Sequence, residues 1–221
     1  MDRSKIGVVI PAYNEELSIA KVIEGINPLG IAIVVNDGST DLGPEIAKNS
    51  GAVIVNHKVN CGYDCALDYG FKKAAELNCD FVITIDADGQ HDPTVLYEFI
   101  EAYEKGADLV LGIRDLKQRF SEHVFAWVTN LLYGIKDPLC GMKGYRIEIY
   151  RQLGHFDSYG SIGTELALFG VRSKYQFVQV NVPTREREGA SRFGRFIYAN
   201  YVILKAMFKS FFLIHPTNDD G

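Results

Sequence analysis

Five short apolar runs, at residues 6–10, 31–35, 52–55, 81–85 and 107–111, alternate with segments of helical spacing at 15–26, 44–49, 62–77 and 94–103. In 15–26, for example, Leu17, Ala20, Val22 and Ile23 recur at the helical period. Strand and helix in strict alternation, with strands that are apolar throughout, require a mostly parallel sheet covered on both faces. The rhythm breaks after residue 111. An aromatic-rich helix is expected at 120–133, then a loop at Asp137-Pro138-Leu139-Cys140-Gly141, a helix at 162–171 and a strand at 177–182. A basic turn, Gly189-Ala190-Ser191-Arg192, precedes a last helix at 196–214. No linker-like stretch separates the two halves, so 1–221 reads as a single domain.

The fourth run ends abruptly in Asp86-Ala87-Asp88-Gly89-Gln90-His91-Asp92-Pro93. Asp-Gly and Asp-Pro mark a loop, so acids stand at the carboxyl end of a buried strand, where open α/β sheets place their ligands. On an extended segment Asp86 and Asp88 point to one side. Two hard oxygen donors, with the amide of Gln90 two residues on, suit Mg²⁺ or Mn²⁺. A solvated acidic turn would carry the same short pattern.

The other loops narrow the chemistry. Neither a GxxxxGK[ST] loop nor a GxGxxG after the first strand is present. Instead, Glu15 and Glu16 follow the first strand, and Asp37 and Asp41 the second. Carboxylates beside phosphates repel unless a divalent cation bridges them, but they accept hydrogen bonds well from ribose hydroxyls or a base N–H. Such a site grips a nucleoside with acids and its diphosphate through a metal, which is the logic of nucleotide-sugar recognition. Asp37 and Ser39 could equally cap a helix.

Composition excludes several alternatives. A net charge of −5 leaves no electrostatic footprint for nucleic acid. Cys61, Cys65, Cys79 and Cys140 form no CxxC pair and no zinc spacing, and read as reduced thiols of a cytoplasmic protein. The opening run ends at Pro11 and reads as a strand, not a signal peptide, and no stretch reaches the ~18 uncharged apolar residues of a spanning helix.

Four motifs in order, Pro11-Ala12-Tyr13-Asn14-Glu15-Glu16, Asn36-Asp37-Gly38-Ser39-Thr40-Asp41, Asn60-Cys61-Gly62-Tyr63 and Asp86-Ala87-Asp88-Gly89-Gln90-His91, resemble the inverting GT-A glycosyltransferases, the family that includes cellulose and chitin synthases. The chain is most similar to dolichol-phosphate mannose synthases and polyprenyl-phosphate glycosyltransferases. That likeness rests on Gln90-His91, Gly112-Ile113-Arg114, the 137–141 loop, and Arg187-Glu188-Gly189-Ala190-Ser191-Arg192 after Val182-Pro183. The resemblance implies a nucleotide-diphospho-sugar transferase fold, Rossmann-like, with a C-terminal amphipathic helix. It implies that Pro11, Tyr13 and Glu15 line the nucleoside pocket and that Asp37 reaches base or ribose. It also implies that Asp86 supports the site, Asp88 and Gln90 hold the metal, Arg114 and Arg187 face the phosphates, and Ser191 and Arg192 belong to a closing loop. Two departures stand out. The turn ends Ser191-Arg192 where the family has Ser-Lys, and the stretch between Arg114 and Asp137 is short. The family's acceptor-phosphate arginine has no clear counterpart there, Lys117 and Arg119 being the candidates.

The expected function is therefore metal-dependent transfer of a sugar, from GDP-mannose or a UDP-sugar, to a polyprenyl or dolichyl phosphate. Such an acceptor needs no general base, because a phosphate monoester with a second pKa near ~6 is already ionised. Arg185, Arg187, Arg192 and Arg195 gather positive charge in an acidic chain, which would serve two anions brought together, or would form a salt-bridged surface with Glu186 and Glu188. The helix at 196–214, with its aromatics and with Lys205 and Lys209 four apart, fits a membrane-interface element on the cytoplasmic face, with a core helix as the alternative. Phe120, Val124, Trp127, Leu131 and Ile135 would add a second apolar stripe. A membrane partner subunit or a homo-oligomer is compatible with this arrangement. A saccharide or protein acceptor would instead need a base, for which Asp137 is the candidate. A sugar nucleotidyltransferase would carry a Gly-rich, Arg-bearing first loop, which is absent. A non-catalytic nucleotide-sugar-binding subunit would not need the acids and arginines that are here.

Overall fold

The computed structural model describes residues 2–115, 119–183 and 196–212, the side chains of the last segment from 200 to 210. After a 3-10 turn at Arg3–Lys5 come β1 (Ile6–Ala12), α1 (Ile19–Ile26), β2 (Ile31–Asn36), α2 (Gly43–Asn49), β3 (Val53–Asn56), α3 (Tyr63–Glu76) and β4 (Phe81–Thr84). The chain continues through α4 (Leu96–Glu104), β5 (Leu109–Arg114), α5 (Phe120–Tyr133), β6 (Lys143–Arg146), α6 (Ile147–Leu153), α7 (Glu165–Arg172), β7 (Phe177–Val182) and α8 (Phe196–Phe212).

One sheet holds these seven strands in the order β3-β2-β1-β4-β6-β5-β7. Every pairing is parallel except those of β6, which runs antiparallel to both β4 and β5. Alternation along β1 divides the core. Ile6, Val8 and Ile10 face α1 and α4, packing with Ile19, Ile23, Ile26, Leu96 and Phe99. Val9 faces the other way, with Ile33, Val35, Val82, Leu109 and Leu111, against Leu67 and Phe71 of α3, Ile149 of α6 and Leu166 of α7. Both faces are covered, as the run of apolar strands requires.

Three elements differ from the sequence expectation, each for a local reason. Residues 15–18 form turns rather than the first turn of a helix: Asn14 has a left-handed φ of 53°, and the Glu15 carbonyl accepts from both Ser18 and Ile19 amides. The helix expected from 162 begins at Glu165, because Ile162 (φ 58°) and Gly163 (φ 66°) lie outside helical space. The β6–α6 unit was not expected at all. Lys143-Gly144-Tyr145-Arg146 has no apolar run, yet Lys143 is buried, its ammonium donating to the Gly163 carbonyl at 2.8 Å.

α8 lies on α5, with Ile203 and Met207 buried against Phe125. The outer faces are apolar and open: Phe120, Trp127, Leu131 and Leu132 on α5, and Tyr201, Leu204 and Phe208 on α8. Ile135, expected on this stripe, is buried instead at the end of the α5 turn. The two lysines of α8 also part company. Lys205 is exposed, whereas Lys209 is half-buried and donates to the Tyr159 carbonyl at 2.7 Å. No described helix is long and apolar enough to cross a membrane.

The β2–α2 turn depends on Gly38, whose φ is 78° and whose added Cβ would meet the Asn60 amide nitrogen at 2.8 Å. Gly38→Ala is expected to lower the free energy of unfolding by about 1–3 kcal/mol, from the left-handed backbone together with that clash. Urea unfolding followed by circular dichroism measures it, and an unchanged midpoint would refute the constraint.

Candidate active site

From β1 the chain winds outward to β2 and β3, then returns through α3 to place β4 on the other side of β1. The loops after β1 and β4 therefore leave the sheet on opposite sides of one strand. The crevice between them, at the carboxyl ends of parallel strands, is where this architecture places ligands. Pro11 sits at the end of β1 opposite Val35, Tyr13 and buried Glu15 follow it, and Asp37 begins the loop after β2. Asp86, Asp88 and Gln90 occupy the loop after β4. Topology thus brings six of the expected donor residues, together with Gln90, to one edge.

Hydrogen bonds lace these loops. The Asn14 amide donates to Ser39 Oγ at 3.0 Å, and the Thr40 amide returns the contact to Asn14 Oδ1 at 2.8 Å. The Glu16 amide donates to Asp41 and the Leu42 amide to Glu16. Ser18 Oγ donates to the Ala87 carbonyl at 2.7 Å, fastening the start of α1 to the loop carrying Asp86 and Asp88.

Asp37 is 4% exposed and accepts from the Cys61 and Gly62 amides, each at 2.9 Å, with His57 Nδ1 at 2.8 Å. Burial presses its pKa upward, but the Cys61 amide, His57 and the other donors outweigh it and hold the carboxyl below its ordinary value. Asp37 therefore seats the loop before α3 and does not cap α2, which has no side-chain cap.

Asp86 is tied from several elements. Tyr63, the first residue of α3, donates its hydroxyl to Oδ1 at 3.2 Å, and His91 Nε2 lies 3.5 Å from Oδ2. Gly141 packs so closely that an added Cβ would stand 2.5 Å from Asp86 Oδ2. Burial again raises the pKa; His91, Tyr63 and the nearby charge of Arg114 overcome it, so the carboxyl stays ionised well into acid. Asp88 is 8% exposed, and its Oδ1 accepts from the Gln90 amide at 3.1 Å, an Asx turn that aims the loop.

Arg114, at the end of β5, is gripped by Asp137. Its Nε donates to Oδ2 at 2.8 Å and its Nη2 to Oδ1 at 2.9 Å, while its backbone N–H also reaches Oδ2. Nη2 further donates to Glu122 at 3.2 Å, and Arg119 pairs with the same carboxylate at 3.1 Å. Arg114 and Arg119 thus share their charge with two buried acids, Asp137 and Glu122. Beneath lies a cluster that sequence reasoning missed. Asp157 accepts amides of 159–161 and 163, and Lys143 is buried with its pKa lowered by burial. Asp64 Oδ1 is buried without a partner. Burial and the charge of Asp157 push the Asp64 pKa up to about 7, against the pull of the Gly163 amide. A lysine in a short glycine-bearing polar segment, Lys143-Gly144, was the one available signal. Arg187, Ser191 and Arg192, with Lys117, Arg185 and Arg195, lie outside the described residues.

Residues 7–126 match the family model described as Glycosyl transferase family 2. A dolichyl-phosphate hexose transferase of Haloferax volcanii is 31% identical over 206 residues, covering 86% of this chain and 87% of that protein. The chain belongs to glycosyl transferase family 2. A polyprenol monophosphomannose synthase of Mycolicibacterium smegmatis is 29% identical, over 91% of this chain and 84% of the relative. Among solved structures, glucosyl-3-phosphoglycerate synthase of Mycobacterium tuberculosis, in complex with Mn²⁺, UDP and glucosyl-3-phosphoglycerate, superimposes with a TM-score of 0.75. That likeness, at 23% identity over 96% of this chain and 81% of the other, shows a shared fold. This family 2 glycosyltransferase therefore has the GT-A architecture its motifs imply.

Removing Asp137 leaves the partly buried Arg114 guanidinium with Glu122 as its remaining acidic partner. Asp137→Ala is expected to cost about 3–5 kcal/mol, read as a fall in the urea midpoint. A loss under about 1 kcal/mol, ordinary for an exposed pair, would show that the pair is not needed for the fold. The raised Asp64 pKa gives a pH signature. The stabilising form is the protonated one, so its contribution is complete below the unfolded-chain value of 3.8 and fades as pH rises through about 7. The stability of Asp64→Asn relative to the parent should accordingly rise from pH 4 to 8. Paired thermal melts across that range check it, and parallel curves would contradict the assignment.

Proposed function

We propose that this glycosyltransferase moves a hexose from a nucleotide-diphosphate sugar, GDP-mannose or a UDP-sugar, to a polyprenyl or dolichyl phosphate at a membrane surface. The observation that carries this reading is the state of Asp137. A hydroxyl acceptor needs a base, and the carboxylate best placed in sequence for that task is 1% exposed and accepts three hydrogen bonds from Arg114. An ion-paired carboxylate is a poor proton acceptor, whereas a phosphate acceptor is ionised before it arrives. The Haloferax dolichyl-phosphate hexose transferase and the Mycolicibacterium polyprenol monophosphomannose synthase point the same way by name.

A divalent cation fits the donor chemistry of the β4 loop. Asp86 and Asp88 supply hard oxygen donors at a strand end, Gln90 offers an amide oxygen, and His91 Nδ1 is a buried polar atom with no partner. Asp88 and Gln90 would hold the ion with Asp86 in support, and structures of the glucosyl-3-phosphoglycerate synthase with the same fold hold Mn²⁺ or Mg²⁺ with UDP. When bound, such an ion stabilises the departing nucleoside diphosphate as a Lewis acid. The residues do the rest. Pro11, Tyr13, Glu15 and Asp37 would orient the nucleoside, and Tyr63 and His91 keep Asp86 ionised and fixed. Arg114 supports the pocket electrostatically while bound to Asp137. By resemblance, Arg187 and Arg192 would bring charge to the phosphates and Ser191 would close over the donor. The open apolar faces of α5 and α8 offer a surface for the headgroup region, near the acceptor's lipid.

A donor screen with polyprenyl phosphate and Mg²⁺ or Mn²⁺, read by product mass spectrometry, tests the reaction. Asp88→Asn should lower transfer by at least about 10²-fold with an unchanged melting curve. Activity that survives EDTA, or product formed only on soluble sugars, would overturn the proposal. For the membrane face, Trp127→Glu with Phe208→Glu should abolish vesicle co-sedimentation while leaving transfer to a short, soluble prenyl phosphate. No sedimentation by the parent would remove lipid docking from the account.

A further inference from the structure

A second, chemically different set of metal-binding side chains lies at the β3–α3 turn. His57 Nδ1 is 2.9 Å from Cys61 Sγ, and Cys61 Sγ is 2.6 Å from Cys65 Sγ. Asp37 Oδ1 lies 2.8 Å from His57 Nδ1 and 3.1 Å from Cys61 Sγ. One imidazole nitrogen and two sulfurs therefore cluster together, and the Asp37 oxygen borders them on the His57 and Cys61 side. The three nitrogen and sulfur atoms all lie within 4.8 Å of one another. The spacing His57-x₃-Cys61-x₃-Cys65 fits no CxxC pattern, so composition gave no hint of zinc. The convergence comes from Gly62, at φ 95°, which folds Cys61 back over the first turn of α3, where Cys65 sits. The His57 side chain is 9% exposed, its Nε2 is buried without a partner, and its ring stands edge-on to Tyr69 at 4.5 Å. Tyr69 thus limits the ring's freedom to swing Nδ1 away from the sulfurs.

We propose that His57, Cys61 and Cys65 form a site for a soft divalent cation of the Zn²⁺ type at the rim of the donor crevice, beside Asp37. Three donors of N, S and S character suit a four-coordinate ion whose fourth position is left to water. Thiolate and imidazole select zinc over magnesium, whereas the oxygen donors of the β4 loop select the reverse. The two sites thus differ in the metal they take. A tetrahedral ion with Zn–S near ~2.3 Å separates its ligand atoms by roughly 3.5–3.8 Å, so the cluster opens by about 1 Å to admit it. Cys61 is exposed, which gives the ion its route in. The site goes beyond the transferase reading and does not depend on which sugar or acceptor is used.

The test uses the full chain, reduced and stripped of metal. Co²⁺ added to it should give a thiolate-to-metal charge-transfer band in the near ultraviolet, bleached by one equivalent of Zn²⁺ and untouched by Mg²⁺. Cys61→Ser and Cys65→Ser should each abolish the band, and His57→Asn should weaken Zn²⁺ retention through desalting. Should a serine variant fail to fold, alkylation of the parent replaces it. Zn²⁺ should protect Cys61 and Cys65, identified by peptide mass, and leave the buried Cys79 and Cys140 unchanged. Absence of the band, a band that persists in Cys65→Ser, Mg²⁺ competing as well as Zn²⁺, or loss of both thiols to a disulfide with no metal retained would each overturn the proposal.

Discussion

The pairing of Arg114 with Asp137 ties the unusual half of the molecule to the regular half. A buried carboxylate and a partly buried guanidinium stabilise one another only if their geometry is good and their remaining hydrogen-bonding capacity is met. Here the guanidinium meets the carboxylate through two nitrogens and the backbone amide of Arg114 adds a third bond. That grip fixes the loop from 134 to 142 against the end of β5. It sets Gly141 against Asp86, and Thr84 Oγ1 donates to the Gly141 carbonyl at 2.6 Å. The position of a carboxylate after β4 thus rests on an ion pair that begins at β5.

Two carboxylates, Asp37 and Asp86, show how one residue at a strand end can hold together separate parts of the chain. Desolvation opposes ionisation of each, and neighbouring donors keep each ionised: for Asp37 those of the loop before α3, for Asp86 Tyr63 of α3 and His91 of its own loop. Amides and a histidine serve Asp37; a tyrosine and a histidine serve Asp86. A charge held in place by fixed dipoles does not reorganise when a ligand arrives, and that preorganisation is what makes such groups effective in a site.

The parallel part of the fold was legible because its strands are apolar on both faces and end in loop-forming residues. Val8, Val9 and Ile10 announce a strand buried on both sides, and Asp86-Ala87-Asp88 announces where β4 gives way to a loop. What was not legible is what polar residues build. Lys143 to Arg146 looks like a loop, since nothing in its composition says that an ammonium will be buried on a carbonyl. Glu122 reads as the surface of a helix, yet it is 4% exposed because two arginines from outside its own helix need it. The partners of Asp37 and Asp86 lie 20 to 25 residues or only 5 away along the chain, and spacing alone gives no means of choosing among the candidates. Nor did the sequence say that the charge of Arg114, expected to face phosphates, is already shared with Asp137 and Glu122.

The insertion of β6 between β4 and β5 has a kinetic consequence. β4 and β5 are consecutive strands, yet they are not neighbours: each pairs with residues 143–146. The edge of β4 stays open, and β5 has no place in the sheet, until the chain has been made as far as Arg146. The segment matched by the family model, which ends at residue 126, therefore lacks the strand that joins its own last two. During synthesis, the nascent chain exposes an apolar edge of the kind that attracts intermolecular pairing until β6 emerges. Loop closure across that gap precedes any gain from it, so the docking of β6 is a natural slow step in assembly.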